Sequence, residues 1–320
     1  MYSRIAGTGK YLPERILTNA ELEGMVDTTD EWIRTRTGIE RRHIAAEGEY
    51  TSDLAFHAGR QAIEDAQLTP EDIDLIVVGT TTPDLVFPNV ACLVQQKLGV
   101  PPIPAFSLEA ACSGFVYALG VADQFVRGGQ AKHALVIGAE TMSRIVDWND
   151  RETCVLFGDG AGAVVLEAND EPGLIYSNLG ADGRQADLLY AASGVSRKAS
   201  QDDEFGMLRM KGNEVFKFAV KTLERMVDDV VAENGLEKGE IDWLVPHQAN
   251  IRIIQATAKR LGMPMDRVIL TVQDHGNTSA ASVPMALDTA IRDGRIKRGD
   301  LLLLEAFGGG FTWGASLIRY

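Results

Sequence analysis

The chain has 320 residues, 45% apolar and 24% charged, the balance of an ordinary soluble globular protein long enough for two fused halves. A formal net charge of −14 argues against non-specific nucleic-acid binding, which needs a basic footprint. Three cysteines cannot build a disulfide scaffold; with no signal-peptide core at the start and no apolar run of membrane-spanning length, a reducing, cytoplasmic setting is expected.

Residues 1–9 read as a short strand that leaves through Gly7-Thr8-Gly9. Helix starts are predicted at 18–22, with Asn19 as cap, and at 28–36, with Thr29 or Asp30 as cap. Trp32 and Arg36 lie four apart and share a helix face. With Arg34, Arg41 and Arg42 they form a basic segment that is either a solvated face or an aromatic–guanidinium grip on a flat anionic ligand. A helix over 51–66, capped by Thr51 or Ser52, is followed by a turn at 70–74 and a buried strand at 75–79. The helix predicted at 89–98 stops at Gly99 and packs Cys92 into the core. Phe106-Ser107-Leu108 then leads into Ala110-Ala111-Cys112-Ser113-Gly114, which opens a small-residue helix ending at Gly128-Gly129. After a buried strand at 134–138, the glycine-rich run 157–162 enters a strand at 163–166 instead of a helix. It is therefore a tight turn that brings backbone near a site, and not a dinucleotide loop. Cys154, just ahead of it, reads as buried and inert. Residues 180–210 are polar and irregular, and 213–234 form a long helix. A strand at 241–245 ends at Pro246-His247-Gln248-Ala249-Asn250, and a helix follows to Arg260. A strand at 268–272 ends at Asp274-His275-Gly276-Asn277-Thr278, and a small-residue helix runs on to Gly294. A buried strand at 301–304, a glycine turn at 307–311 and a strand at 313–320 close the chain.

Cys112 sits where a strand gives way to a helix. The free N–H groups and positive dipole end of a helix start favour thiolate, and thiolate is the nucleophilic form. The same amides suit the oxyanion that forms when a thioester is attacked. A buried structural cysteine is the alternative for this residue taken alone.

The second half of the sequence echoes the first. Ile73-Asp74-Leu75-Ile76-Val77 matches Ile241-Asp242-Trp243-Leu244-Val245, and Leu98-Gly99 matches Leu261-Gly262. The span 112–129 matches 277–294, and Phe157-Gly158-Asp159-Gly160 matches Phe307-Gly308-Gly309-Gly310. Two halves, 1–173 and 174–320, related by a pseudo-twofold axis would put Cys112 and Asn277 at equivalent helix starts facing one cleft. His247 would open from the carboxyl end of the second sheet, where α/β sheets place their ligands. His275 reads as structural.

These motifs resemble those of the β-ketoacyl-[acyl carrier protein] synthase III family, the initiating condensing enzymes of bacterial type II fatty acid synthesis. The resemblance rests on Ala111–Gly114, Pro246–Asn250, Gly276–Ser282 and Phe307–Gly310, and it spans the whole chain. It implies a thiolase-like, five-layered αβαβα fold and a homodimer. It also implies the joining of an acyl-CoA primer, acetyl-CoA in the first instance, to malonyl-acyl carrier protein with loss of CO2. By the same resemblance Cys112 carries the acyl group, and His247 and Asn277 serve the decarboxylating condensation. Backbone amides of Cys112 and Gly309 form the oxyanion hole. Trp32, Arg36 and Arg151 hold CoA; Lys217, Arg252 and Lys259 dock the carrier protein; Phe87 of the neighbouring subunit lines the acyl pocket. Ser113 stands where many members have alanine, and Met142-Ser143, Trp148 and 207–210 fall in stretches that vary and bear on the primer.

No cofactor beyond the CoA thioester substrate is implied. No metal is implied either: Asp228-Asp229 and Asp202-Asp203-Glu204 have no histidine at ligand spacing. The global charge opposes an acidic carrier protein, but residues 243–265 contain no Asp or Glu and do contain Arg252, Lys259 and Arg260, a local patch able to steer it. A degradative thiolase or an HMG-CoA synthase is the nearest rival within the enzymes, but 307–313 lacks the second cysteine that a thiolase needs. A polyketide or long-chain ketone condensing enzyme stays open. A non-catalytic α/β protein is the rival from another class.

Overall fold

Two sheets of one plan, each covered by helices on both faces, account for most of the chain. The computed structural model describes residues 1–192, 194–196 and 206–320; the acidic run Asp202-Asp203-Glu204 lies outside them. The first half of the chain supplies β1 (Tyr2–Tyr11), β2 (Arg15–Thr18), α1 (Asn19–Glu23), α2 (Asp30–Thr37), β3 (Arg41–Ile44), α3 (Thr51–Asp65), β4 (Leu75–Gly79), α4 (Val90–Leu98), β5 (Ala105–Leu108), α5 (Gly114–Arg127), β6 (His133–Thr141) and β7 (Asp159–Asn169). The remainder supplies β8 (Leu174–Ala181), β9 (Leu189–Ala191), β10 (Leu208–Met210), α6 (Gly212–Glu233), β11 (Trp243–Pro246), α7 (Ile251–Leu261), α8 (Val272–His275), α9 (Ser282–Arg292), β12 (Leu301–Gly308) and β13 (Thr312–Arg319).

The first sheet runs β1-β7-β6-β4-β5 and the second β8-β13-β12-β11. In the first, β4 is parallel to β5 and β6, while β7 is antiparallel to β6 and β1. In the second, β11 is parallel to β12, and β13 is antiparallel to β12 and β8. The place that β5 would take is held by one parallel bridge between Leu244 and Val268. Strand β4, Leu-Ile-Val-Val-Gly, is buried along its whole length, as an unbroken apolar run must be when helices cover both faces.

Three apolar cores join five layers, the middle one covering both sides of the layer formed by α5 and α9. Leu54, Ala58 and Ala62 of α3, with Val90 and Val94 of α4, pack on Ile76, Val78, Leu135 and Ile137 of the first sheet. Phe115, Leu119 and Val126 of α5, with Val283 and Leu287 of α9, fill the space between Val77 and Val136 on one side and Leu302 and Leu304 on the other. Leu223 and Val227 of α6, with Ile254 and Ala258 of α7, pack on Leu301, Leu303 and Leu317. Leu17, Leu22, Ile33 and Ile39, from the excursion between β1 and α3, join that third core rather than the sheet of their own half. The result is an αβαβα sandwich.

Several local expectations are corrected. Thr18, not Asn19, caps α1 through a reciprocal pair with Glu21. Thr29 caps α2. Tyr50 precedes α3, where Asp53 accepts its amide, and Thr51 and Ser52 lie inside the helix. No strand forms at 268–272. The buried Gln248 side chain takes over its hydrogen bonds, donating to Pro246 O and Ile269 O and accepting from Thr271 N and Val272 N, and α8 follows at once. Arg42 is not on a solvated face: it is fully buried, donates to Leu17 O, Asn19 Oδ1 and Val155 O, and is pulled down to about 10 by burial.

Candidate active site

The cysteine turn and its counterpart meet at the centre of the sandwich. Ala111–Ser113 is a single 3-10 turn with Ala111 at φ 45°, and α5 starts at Gly114. Ser279–Ala281 is the matching turn with Ser279 at φ 49°, and α9 starts at Ser282. The turns touch: a Cβ on Gly114 would stand 3.2 Å from the Ala280 methyl. By backbone geometry Cys112 therefore matches Ala280, and Asn277 lies three residues ahead of the position expected for it.

The end of β12 closes on the cysteine. A Cβ on Gly308 would lie 2.6 Å from Cys112 N, so only glycine lets the strand abut that amide. Thr312 Oγ1 donates to Ala110 O at 2.7 Å, and Ser113 Oγ donates to Thr312 O at 3.1 Å, which tie the two segments together. Cys112 is 8% exposed. Burial pushes its thiol up to about 12, against the pull of Ser279 and of its own backbone amide, with Glu140 and Glu109 adding to the rise. Loss of hydration thus opposes the thiolate that the helix start favours.

His247 follows β11, its amide donating to Glu305 O at 2.8 Å. Its Nδ1 lies 2.6 Å from Ser282 Oγ, which also accepts from Gln248 N at 3.3 Å. A Ser282 hydroxyl that donates to Nδ1 leaves the ring hydrogen on Nε2. Burial lowers the ring to about 3, so it is neutral at pH 7.

Asn277 is held by backbone and side chain alike. Its N–H donates to Leu156 O at 2.8 Å, and its carbonyl accepts from Gly158 N at 3.0 Å. The glycine turn ahead of β7 thus clasps the asparagine segment, and a Cβ on Gly158 would meet His275 O at 2.7 Å. Ser279 N donates to Asn277 Oδ1 at 2.9 Å, which leaves the Nδ2 hydrogens for another acceptor.

One groove of about 1110 Å³ joins these groups, large enough for an extended ligand. Cys112, His247, Asn277, Phe307 and Gly309 line its buried end, and Trp32, Arg36 and Arg151 line it toward solvent. Arg36 and Arg151 place their guanidinium carbons 5.1 and 4.7 Å from the Trp32 ring centre. Arg252 also lines the groove and stacks 5.3 Å from the Phe216 ring centre. Lys217 and Lys259 are exposed on α6 and α7 outside the lining, whereas Arg260 is held by Asp228. Phe87 lies outside the groove and is 82% exposed, beside exposed Leu85 and Val86. Of the three cysteines, only Cys112 lines the groove; Cys92 packs in α4 near Ala105 O, and Cys154 is fully buried.

The sequence reading missed Ser282, which pairs with His247 Nδ1, and Gly308, which abuts the cysteine amide. It also missed two carboxyls in the interior, Glu140 and Glu305. Ser282 closes the quoted 276–282 motif, but its partner lies 35 residues away. Among the described residues, no group of three His, Cys, Asp or Glu side chains is arranged to hold a metal ion, and no helix is long and apolar enough to cross a membrane.

The model for 3-Oxoacyl-[acyl-carrier-protein (ACP)] synthase III matches residues 106–183, and that for its C-terminal part matches residues 231–320. Beta-ketoacyl-[acyl-carrier-protein] synthase III of Thiobacillus denitrificans is 64% identical over 320 residues, 100% of this chain and 99% of that one. The chain belongs to the β-ketoacyl-[acyl-carrier-protein] synthase III family. It is a condensing enzyme of the thiolase-like type. The crystal structure of 3-oxoacyl-[acyl-carrier-protein] synthase III from Aquifex aeolicus superposes with a TM-score of 0.94 at 49% identity, covering 99% of this chain and 100% of that one. The priming β-ketosynthase of the R1128 polyketide pathway superposes with a TM-score of 0.95 at 37% identity, covering 99% and 96%.

Proposed function

We propose that Cys112, His247 and Asn277 divide the family's condensation of an acyl-CoA with malonyl-acyl carrier protein between two half-reactions. The carrying observation is that the three side chains share the buried end of one groove whose outer part carries Trp32 with two guanidinium groups close to its ring. In the first half-reaction the Cys112 sulfur attacks the acyl-CoA thioester. It gives up its proton as it attacks, and the departing CoA sulfur takes one up. The oxyanion is received by the amides of Cys112 and Gly309. The arginine-flanked Trp32 suits the flat base and phosphates of CoA.

In the second, malonyl thioester enters, loses CO2, and its carbanion attacks the acyl-cysteine, giving 3-oxoacyl-acyl carrier protein. Charge gathers on the thioester oxygen, where His247 Nε2–H and Asn277 Nδ2–H donate. Both donors are uncharged, so neither stabilises the departing carboxylate more than the transition state. Arg252 and the exposed Lys217 and Lys259 form the docking face for an acidic carrier protein. Acetyl-CoA is the primer we favour, and the two halves are 1–173 and 174–320. The exposed Leu85-Val86-Phe87 segment supports a homodimer in which Phe87 reaches the neighbouring acyl pocket.

Intact mass after incubation with acetyl-CoA tests the assignment. An acetyl adduct on the native chain, absent from Cys112→Ala, is the expected result. An adduct that persists in Cys112→Ala would overturn it. A series of longer and branched acyl-CoAs in the same measurement defines the primer.

A further inference from the structure

Glu140, near the end of β6, is fully buried where the two halves of the chain meet. It collects donors almost entirely from the loop after β4: Thr80 Oγ1 at 3.3 Å, Thr81 N and Thr81 Oγ1 at 3.1 Å, and Thr82 Oγ1 at 2.5 Å. The exception comes from the other half. Ser279 Oγ donates to Glu140 Oε1 at 3.1 Å. Among the described residues no cation pairs with this carboxyl. The threonine loop is itself braced, since Thr51 Oγ1 donates to Thr82 O at 2.6 Å and Thr141 N donates to Thr82 Oγ1 at 2.9 Å.

Ser279 is the consequential partner. Its φ of 49° is a conformation that a residue with a side chain keeps only where its surroundings hold it. Its amide is the group that fixes Asn277 Oδ1. We propose that Glu140 is a positioning residue for Asn277: it clamps Ser279 across the junction of the halves, and the clamped Ser279 amide holds the carboxamide with its N–H toward the reacting thioester. This rests on the assignment of Asn277 made above. Burial raises the Glu140 carboxyl to about 7 against the pull of the threonine and Ser279 donors, and in its ionised form it only accepts, which suits the donors that face it. A glutamine at 140 would turn an NH2 toward one of those donors and release the clamp.

A double-mutant cycle read by CO2 release from malonyl-acyl carrier protein tests the proposal, with the melting temperature of each variant recorded. Asn277→Ala is expected to lower CO2 release about 100-fold. Glu140→Gln is expected to lower it about 10-fold in the native background. In the Asn277→Ala background the same change is expected to cost less than about 2-fold, because there is no carboxamide left to position. Glu140→Asp, which keeps an acceptor, is expected to recover part of the loss, and it replaces Glu140→Gln in the cycle if that variant does not fold. Equal losses in both backgrounds, or no loss in the native one, would overturn the role of Glu140. Unaltered CO2 release from Asn277→Ala would instead overturn the assignment of Asn277 itself.

Discussion

Replacing Ser282 by alanine removes the hydroxyl paired with His247 Nδ1, which in the proposed scheme makes the ring a donor on its groove side. The native ring has Nδ1 2.6 Å from Ser282 Oγ and is held neutral by burial, its pKa near 3. Without that hydroxyl nothing selects the tautomer with hydrogen on Nε2, and a buried ring nitrogen loses its partner. The loss of a buried partner is worth about 1–3 kcal/mol, and complete loss of an oxyanion donor about 3–4 kcal/mol. A ring that still samples the useful tautomer falls in the lower range, so decarboxylation should slow about 10- to 100-fold. Acyl transfer to Cys112 does not use that hydrogen in the proposed scheme and should change less than about 3-fold. The assay pairs CO2 release from malonyl-acyl carrier protein with the rate of acyl-enzyme formation by intact mass. Ser282→Thr keeps a hydroxyl and should restore CO2 release. Unchanged CO2 release in Ser282→Ala, or an equal fall in both half-reactions, would refute the reasoning.

Gly308→Ala puts a methyl group 2.6 Å from Cys112 N, so acyl-enzyme formation should fall at least about 100-fold, read as the initial rate of adduct appearance. Glu305 is buried with no hydrogen bond of good geometry to either carboxylate oxygen, and burial raises it to about 8 against the pull of the nearby Thr257 hydroxyl. Its raised folded pKa means that stability is lost as pH climbs from about 4.5 through 8, so the melting-temperature advantage of Glu305→Gln should grow across that window and level off above it. The histidines act with the opposite sign: His247 and His275, both lowered to about 3 by burial, withdraw stability as pH falls below about 6.5. Calorimetry of His275→Gln should therefore show a smaller loss between pH 6.5 and 4 than the native chain. Arg252→Glu should weaken condensation with malonyl-acyl carrier protein about 10-fold or more, with a reduced salt dependence, while acyl transfer from CoA stays close to native. Equal losses in the two reactions would remove Arg252 from the docking face.

The sheets were legible because a strand covered on both faces must be apolar throughout, and 75–79, 134–138 and 301–304 carry no polar side chain. Reading 268–272 as a further strand failed because a buried amide side chain, Gln248, can take over the hydrogen bonds of a strand that never forms. Cys112, His247 and Asn277 stood out by residue type and by the repeat, and the groove brings them together. Their partners did not stand out. Glu140 and Ser279 lie 139 residues apart, and no spacing rule connects a carboxylate in one half to a serine in the other. The environment of the cysteine was equally hidden: a helix start argues for thiolate, but burial by tertiary neighbours such as Gly308 and Ser279 argues against it, and local sequence does not reveal them.

The strap from β2 to β3 belongs by sequence to the first half, yet its Leu17, Leu22, Ile33 and Ile39 are embedded beneath α6 and α7. Glu40 N donates to Gln273 O at 2.8 Å, and Asn250 Nδ2 donates to Arg36 O at 3.0 Å, so the strap is also stitched along its polar edge. Trp32 rides on this strap. Severing the polypeptide near residue 173 would leave one fragment with a bare greasy ribbon and the other with an uncapped trough, and neither would retain Trp32 on its native seat. The environment of the Trp32 indole is in this sense a gauge of whether the molecule is whole.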